Sequence, residues 1–289
     1  MSELQKKRNS YYTDVFKRFK RHKLAMFGIA MLTIIILAVL LLPMIFKLDP
    51  YTTMVAPALS RPSVKFILGT DATGRDNFAR LLYGGRVSLL VGLASTFISI
   101  IIGVPLGLIA AYYRGIAEIV IMRIVDIFMS FPSMVLIMVL VSIMGPSIWS
   151  VTVVIGVLEW TQFARQIYGT ALSIREKEYI EAARAVGASD FRIITRYILP
   201  NSIAPILIAA TFRTAAAMLQ ESTLSFLGMG VQPPQASWGN ILYNAQSIAI
   251  LSTRPWMWVQ AGILLILTVL SVNFVGDGLR DALDPKMKV

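Results

Sequence analysis

The chain has no cysteine and a single histidine, His22. Without thiols it forms no disulfide and offers no thiolate nucleophile. One imidazole leaves little material for a histidine-based metal site. Charge is also scarce. Only 15% of the 289 residues are Asp, Glu, Lys or Arg, whereas a soluble domain carries about 25%; 56% are hydrophobic and the mean hydropathy is +0.68. No Gly-x-x-x-x-Gly-Lys-Ser/Thr phosphate cradle occurs, nor His-Glu-x-x-His, nor Gly-x-Ser-x-Gly. Gly74-Arg75-Asp76 is no substitute, and the serines and threonines have no histidine partner. These absences exclude a self-contained enzyme of the common hydrolytic or nucleotide-splitting types. A cleavable signal peptide is not expected either, because the first 23 residues are basic and polar and the apolar run after them is too long for a signal core.

What is present is a set of long apolar runs. Leu24 to Phe46 is free of charge, enough to cross roughly 30 Å of hydrocarbon at about 1.5 Å per residue. Val87 to Tyr113 is a second such run. Ile127 to Leu158 is a third, too long for one helix and broken at Gly145-Pro146-Ser147. It reads as a hairpin of helices over about 119–144 and 148–168. Ile203 to Leu227 and Trp256 to Val275 complete six expected spans in an all-α, polytopic membrane bundle of one domain.

Lys and Arg placement sets the orientation. With the N-terminus inside, 18 basic residues fall on the cytoplasmic side, eight of them in the N-terminal tail, against seven outside. Both termini are then cytoplasmic. Segments 47–86 and 228–255 are outer loops, and 169–202 is a large inner loop. The net charge of +11 is therefore spread along the membrane faces rather than gathered on one soluble domain, which disfavours nucleic acid as a partner. In the tail, residues 1–23, Tyr12, Val15, Phe16 and Phe19 recur at helical spacing among Lys17, Arg18, Lys20 and Arg21. That pattern suits a helix on the anionic inner leaflet, or a solvated basic tail that acts only as a topology signal.

The inner loop carries strong helix formers from Glu176 to Val186, then Gly187 where a helix C-cap needs a left-handed residue. Ser189 or Asp190 can cap a second helix, whose apolar stripe is Phe191, Ile194, Tyr197 and Ile198. Pro200 and Pro205 delimit the entry to the fifth span. The turn from Ala185 to Ser189 is small or apolar, which fits a socket on another protein or a plain connecting hairpin.

Several ionisable residues lie inside the spans, where they usually face protein or a water-filled path. Arg123 and Asp126, three apart on one helix face, are expected to pair. Glu159, Arg213 and Glu221 are candidates for lining a translocation path, or for buried pairing between helices. Outside, Gly69 to Asp76 reads as an ordered turn-rich loop, followed by an interfacial helix with Phe78, Leu81 and Leu82. Pro233-Pro234 and Trp238 suggest a rigid outer loop with an aromatic interface anchor.

Glu181-Ala182-Ala183, Gly187 and Leu199-Pro200 resemble the EAA loop of ABC importer permeases, with Tyr197 a small departure from that pattern. Leu68 to Asp76, Leu224 to Pro234, Ser237 to Asn240 and Arg21 to Gly28 resemble signatures of the dipeptide/oligopeptide/nickel subfamily. The resemblance spans nearly the whole chain. It implies a type I permease fold in a bacterial or archaeal cytoplasmic membrane, importing short peptides by alternating access. It implies a coupling contact with a separate ATPase through Glu181, Ala182, Ala183, Gly187, Ala188 and Asp190. It also implies an outer-loop signature at Gly69, Thr70, Asp71, Gly74, Arg75 and Asp76 that meets a substrate-binding protein. The implied partners are a homologous second permease and two ATPase subunits carrying ATP and Mg, with no cofactor on this chain. Import of nickel or another small solute by the same machinery is one alternative. An ion-driven secondary transporter is the other, although no internal repeat relates the two halves.

Overall fold

A computed structural model describes residues 13–283. Among them the chain is helical, with no strand and one isolated antiparallel bridge, Thr70 to Asp76. Tyr12, Lys6, Lys7, Arg8, Lys286 and Lys288 lie outside the described residues. Residues 13–21 form helix α1, as the tail periodicity predicts. The lone histidine ends it: His22 Nδ1 accepts from Ala25 N at 3.0 Å and so caps helix α2, Lys23–Ile45. His22 Nε2 lies 3.3 Å from Asp281 near the far end of the chain.

The longest elements are α3 (Asn77–Tyr113), α6 (Ile148–Arg175), α8 (Asp190–Ile193) continuing into α9 (Leu199–Phe226), and α12 (Val259–Leu283). Among the described residues, four helices are each long and apolar enough to cross a membrane: α2, α3, the joined α8–α9, and α12. The six segments expected from the sequence are all helical, but the simple count of six needs correction in two places. The run over 119–144 is not one helix. It is α4 (Gly115–Ser130) and α5 (Ser133–Met144), bent by 88° to each other. The cause is Pro132, which has no N–H to donate and forces Phe131 out of helical geometry, to φ −93° and ψ 145°. The second exception is α6, long enough at 28 residues but carrying Glu159, Gln162, Arg165 and Gln166 in its middle.

Helix ends also overrun the charge-free windows. Asp76 caps α3, accepting from Phe78 N at 2.9 Å, so the expected interfacial helix and the second span are one 37-residue helix. The sixth span starts later than expected, at Val259, and continues past Asp277 and Arg280. Pro200 does not separate the loop helix from the fifth span. Residues Ile194–Ile198 form a π turn in which Leu199 N donates to Ile194 O, and the helix passes through. A π turn re-routes the ladder where a proline has removed a donor.

The packing centre is α3 against α6. Gly103 and Gly107, one turn apart on α3, let the two backbones meet: a Cβ at Gly103 would sit 2.4 Å from Trp160 O, and one at Gly107 2.6 Å from Ala164 O. Arg86 illustrates how the bundle absorbs a charge. Pro43 frees the carbonyl of Val39 in α2, and Arg86 Nε donates to that oxygen at 2.6 Å. Trp238, expected at the membrane interface, is instead wholly buried, with Nε1 donating to Leu81 O at 3.0 Å. Gly85 leaves the room its indole fills.

Candidate functional site

The loop between α6 and α9 is built by local sequence and then fixed from outside. Helix α7 (Glu178–Ala185) ends in a Schellman motif. Gly187 has φ +79°, its N–H donates to Arg184 O at 2.9 Å, and Ala188 N donates to Ala183 O at 3.0 Å. Ile180 and Ala183 face inward, packed with Leu108, Tyr112, Phe163 and Ile193. Tyr112 at the end of α3 organises the polar side. Its hydroxyl donates to Asp190 at 2.6 Å, its carbonyl accepts from Arg175 Nε at 2.9 Å, and Arg184 lies 5.1 Å over its ring. Arg114 pairs with Glu176 at 3.0 Å.

What this leaves outside is specific. Glu181, Ala182 and Gly187 are exposed, Ala188 is partly covered, and Asp190 is exposed while held by Tyr112. Of the six residues that the family resemblance implies for an ATPase contact, Ala183 alone is turned into the core. Two apolar side chains flank the turn in the open, Val186 at 85% exposure and Phe191 at 76%. Phe191 is therefore not part of the buried stripe; Ile194, Tyr197 and Ile198 pack against the core as expected, and Ile193 joins them.

At the opposite end, Asp71 is a hub. It accepts from Thr73 N at 2.8 Å, Thr73 Oγ1 at 2.9 Å, Arg75 N at 3.0 Å and Arg75 Nε at 2.7 Å, with Arg80 Nε at 3.4 Å. Arg80 also donates to Pro234 O at 3.1 Å, which ties this loop to the second one. Gly69 and Gly74 take positive φ and Thr70 is buried, so the loop signature is an ordered hub. A cavity of 330 Å³ opens beside it, lined by Asp71, Arg75, Asn240 and Tyr243 among others. Burial alone would raise the Asp71 carboxyl, but the hydrogen bonds from Arg75 and Thr73 outweigh it and hold its pKa below the ordinary 3.8. A lowered folded pKa stabilises above the unfolded value and is lost as pH falls through the folded one. The hub is thus intact at neutral pH and loosens only below the usual carboxylate range. Asp71→Asn is expected to cost about 3 kcal/mol, the scale for breaking a buried pair, read as a lower midpoint of thermal unfolding and faster proteolysis within 46–76.

Between the ends, the intramembrane charges pair across helices. Glu159 Oε2 accepts from Arg213 at 3.1 Å, Glu159 Oε1 from Gln220 at 2.9 Å, and Arg213 also donates to Gln162 at 2.9 Å. Glu221 is not open to any path here. It is fully buried and accepts from Ser88 at 2.9 Å and Ser225 at 2.8 Å, joining α3 to α9. Asp126 pairs with Arg165 of α6 rather than with Arg123, because α4 lies against α6. Gln162 carried no signal of its own in the sequence, whereas Gln220 opens the polar stretch Gln220-Glu221-Ser222-Thr223 within the fifth span.

The sequence model of the binding-protein-dependent transport system inner membrane component family matches residues 103–289. The chain belongs to this family. It is a permease subunit of an ABC transporter and an integral inner-membrane protein. The model of the N-terminal transmembrane domain of oligopeptide transport permease C matches residues 10–62 of this permease. A putative peptide permease protein of Brucella suis is 44% identical over 272 residues, covering 94% of this chain and 90% of that one. The dipeptide transport system permease protein DppC of Alkalihalophilus pseudofirmus is 40% identical over 279 residues, covering 96% and 91%. Among solved structures, an inward-facing form of the MetNI methionine ABC transporter matches with a TM-score of 0.60 at 22% identity, covering 71% of this permease and 96% of that chain. At that identity the likeness concerns the fold, that of an ABC importer permease.

Proposed function

We propose that this permease forms half of the membrane path of an ATP-driven importer of short peptides, cycling between inward-facing and outward-facing states. The observation that carries the reading is the capped turn of α7. It projects Val186 and Gly187 outward while Ile180, Ala183 and the Tyr112–Asp190 bond clamp its base. A rigid knob with exposed apolar tips transmits force to a socket, which a loose connecting loop would not do. The turn faces the cytoplasm and docks on an ATPase subunit that holds ATP and Mg. Glu181, Ala182, Gly187, Ala188 and Asp190 make or support that contact. The end carrying Asp71 and Arg75 faces outward and receives the binding protein, and a second, homologous permease completes the path. Peptides are the favoured cargo because the relatives named above are peptide permeases.

Purification of a tagged chain from native membranes in mild detergent tests the assembly. Mass spectrometry is expected to recover one homologous permease and one or two ATPases with phosphate-cradle motifs. A lone chain or a homodimer, even after crosslinking through Ala188→Cys, would argue for an ion-driven carrier instead.

A further inference from the structure

Arg213 lies at the middle of α9 and Glu159 near the middle of α6, both within membrane-length helices. The Glu159 side chain is 9% exposed, but that of Arg213 is 33% exposed. A guanidinium at that depth faces lipid only at great cost, so its open side faces water or protein. The surrounding face agrees. Glu159, Gln162 and Gln166 fall within about 60° of arc on α6, and Arg213 and Gln220 within about 20° on α9, at about 100° per residue. Two helices thus present one polar seam. Gln220 is oriented by giving its amide N–H to Glu159, which leaves its buried Oε1 without a partner. Beside Glu159 and Gln162 a cavity of 160 Å³ opens at the break between α4 and α5, lined also by Phe128, Phe131 and Ser133.

We infer that the Glu159–Arg213 pair is an exchangeable reader of the two charged termini of a short peptide. The peptide ammonium enters the cavity, where Glu159 pairs with it beside the aromatic side chains of Phe128 and Phe131 that line the same space. The peptide carboxylate takes the guanidinium of Arg213, whose planar fork matches it, with the Gln162 amide alongside. The 3.1 Å pair closes on itself when no peptide is present, so neither charge is left bare in the membrane. This assignment rests on the peptide-import reading above, and it adds a charge-reading point inside the membrane that is separate from the binding protein.

The test separates a reader from a structural ion pair. Removing one partner of a buried pair leaves an uncompensated charge and destabilises, whereas replacing both charges together by neutral side chains of similar volume leaves none. The complete transporter with its binding protein, in ATP-loaded proteoliposomes, is assayed with alanyl-alanine and with N-acetyl-alanyl-alanine amide. Glu159→Gln combined with Arg213→Gln is expected to keep assembly, read as co-purification of the complete set of subunits. It should lose alanyl-alanine uptake by roughly tenfold or more, the loss when a site built for a polar group no longer engages it, and its preference for free termini should shrink. The binding protein is the same in both preparations, so a changed preference belongs to the permease. A double variant with wild-type rate and preference overturns the inference alone. Absence of peptide uptake by the unmodified transporter overturns the import reading and the inference with it. Should the double variant fail to assemble, Glu159→Asp carries the test: a raised KM for alanyl-alanine supports the reader, and an unchanged KM overturns it.

Discussion

Gly103→Leu is expected to remove most of the folded chain from the membrane. A Cβ at this position lies 2.4 Å from Trp160 O and 2.7 Å from Phe163 Cβ, and the first of these is backbone that cannot rotate away. Relief requires α3 and α6 to move apart along the contact that organises the bundle. Overpacking a core costs about 1–3 kcal/mol, and a clash with backbone belongs at or above the top of that range. Abundance responds steeply to changes of this size. Quantitative blotting of membranes, together with thermal unfolding in detergent, should show several-fold loss. Gly169→Ala on α6 is the control, because nothing lies within 4 Å of a Cβ there. Equal abundance of the Gly103 variant and this control would mean that the close approach contributes nothing.

Gly187→Val should leave the protein in the membrane and strongly impair its transport. No atom lies within 4 Å of a Cβ at Gly187, so the fold has no steric objection. The objection is conformational. At φ +79° a side chain costs about 1–2 kcal/mol, and a β-branched one more. The turn then relaxes, losing the bonds from Gly187 N to Arg184 O and from Ala188 N to Ala183 O that aim Val186 outward. Since about 1.4 kcal/mol is a factor of ten, uptake and transport-coupled ATP hydrolysis are each expected to fall by roughly tenfold or more. Gly187→Asn should stay near wild type, because Asn tolerates the left-handed region. Wild-type uptake by the Val variant would remove the turn from the coupling path.

These two glycines differ in how readable they are. The need for Gly187 is local: helix formers, then a residue able to take positive φ, then a new helix start. The Schellman turn was legible for that reason, as were the apolar helices, since hydropathy over a window and the missing charges depend on nothing distant. The break at Pro132 was less legible, because proline restricts its own predecessor yet Pro43, Pro105 and Pro205 each sit inside a continuous helix. Gly103 is different. Its importance lies in Trp160, 57 residues away, and no property of the α3 sequence alone names the helix that approaches it.

The same division runs through the polar residues. Sequence by itself determined that this is an all-helical membrane protein, that it carries no phosphate-cradle motif, and that one loop holds two short helices around a glycine turn. Tertiary structure alone decided that Asp126 pairs with Arg165, that Trp238 is core rather than interface, that Glu221 is sealed among serines, and that Glu159 meets Arg213 beside a cavity. The physical reason is range. Burial and backbone preferences are set by a residue and its neighbours along the chain. The partner of a charge inside a membrane is set by which helix faces are pressed together, and only the packed bundle specifies that.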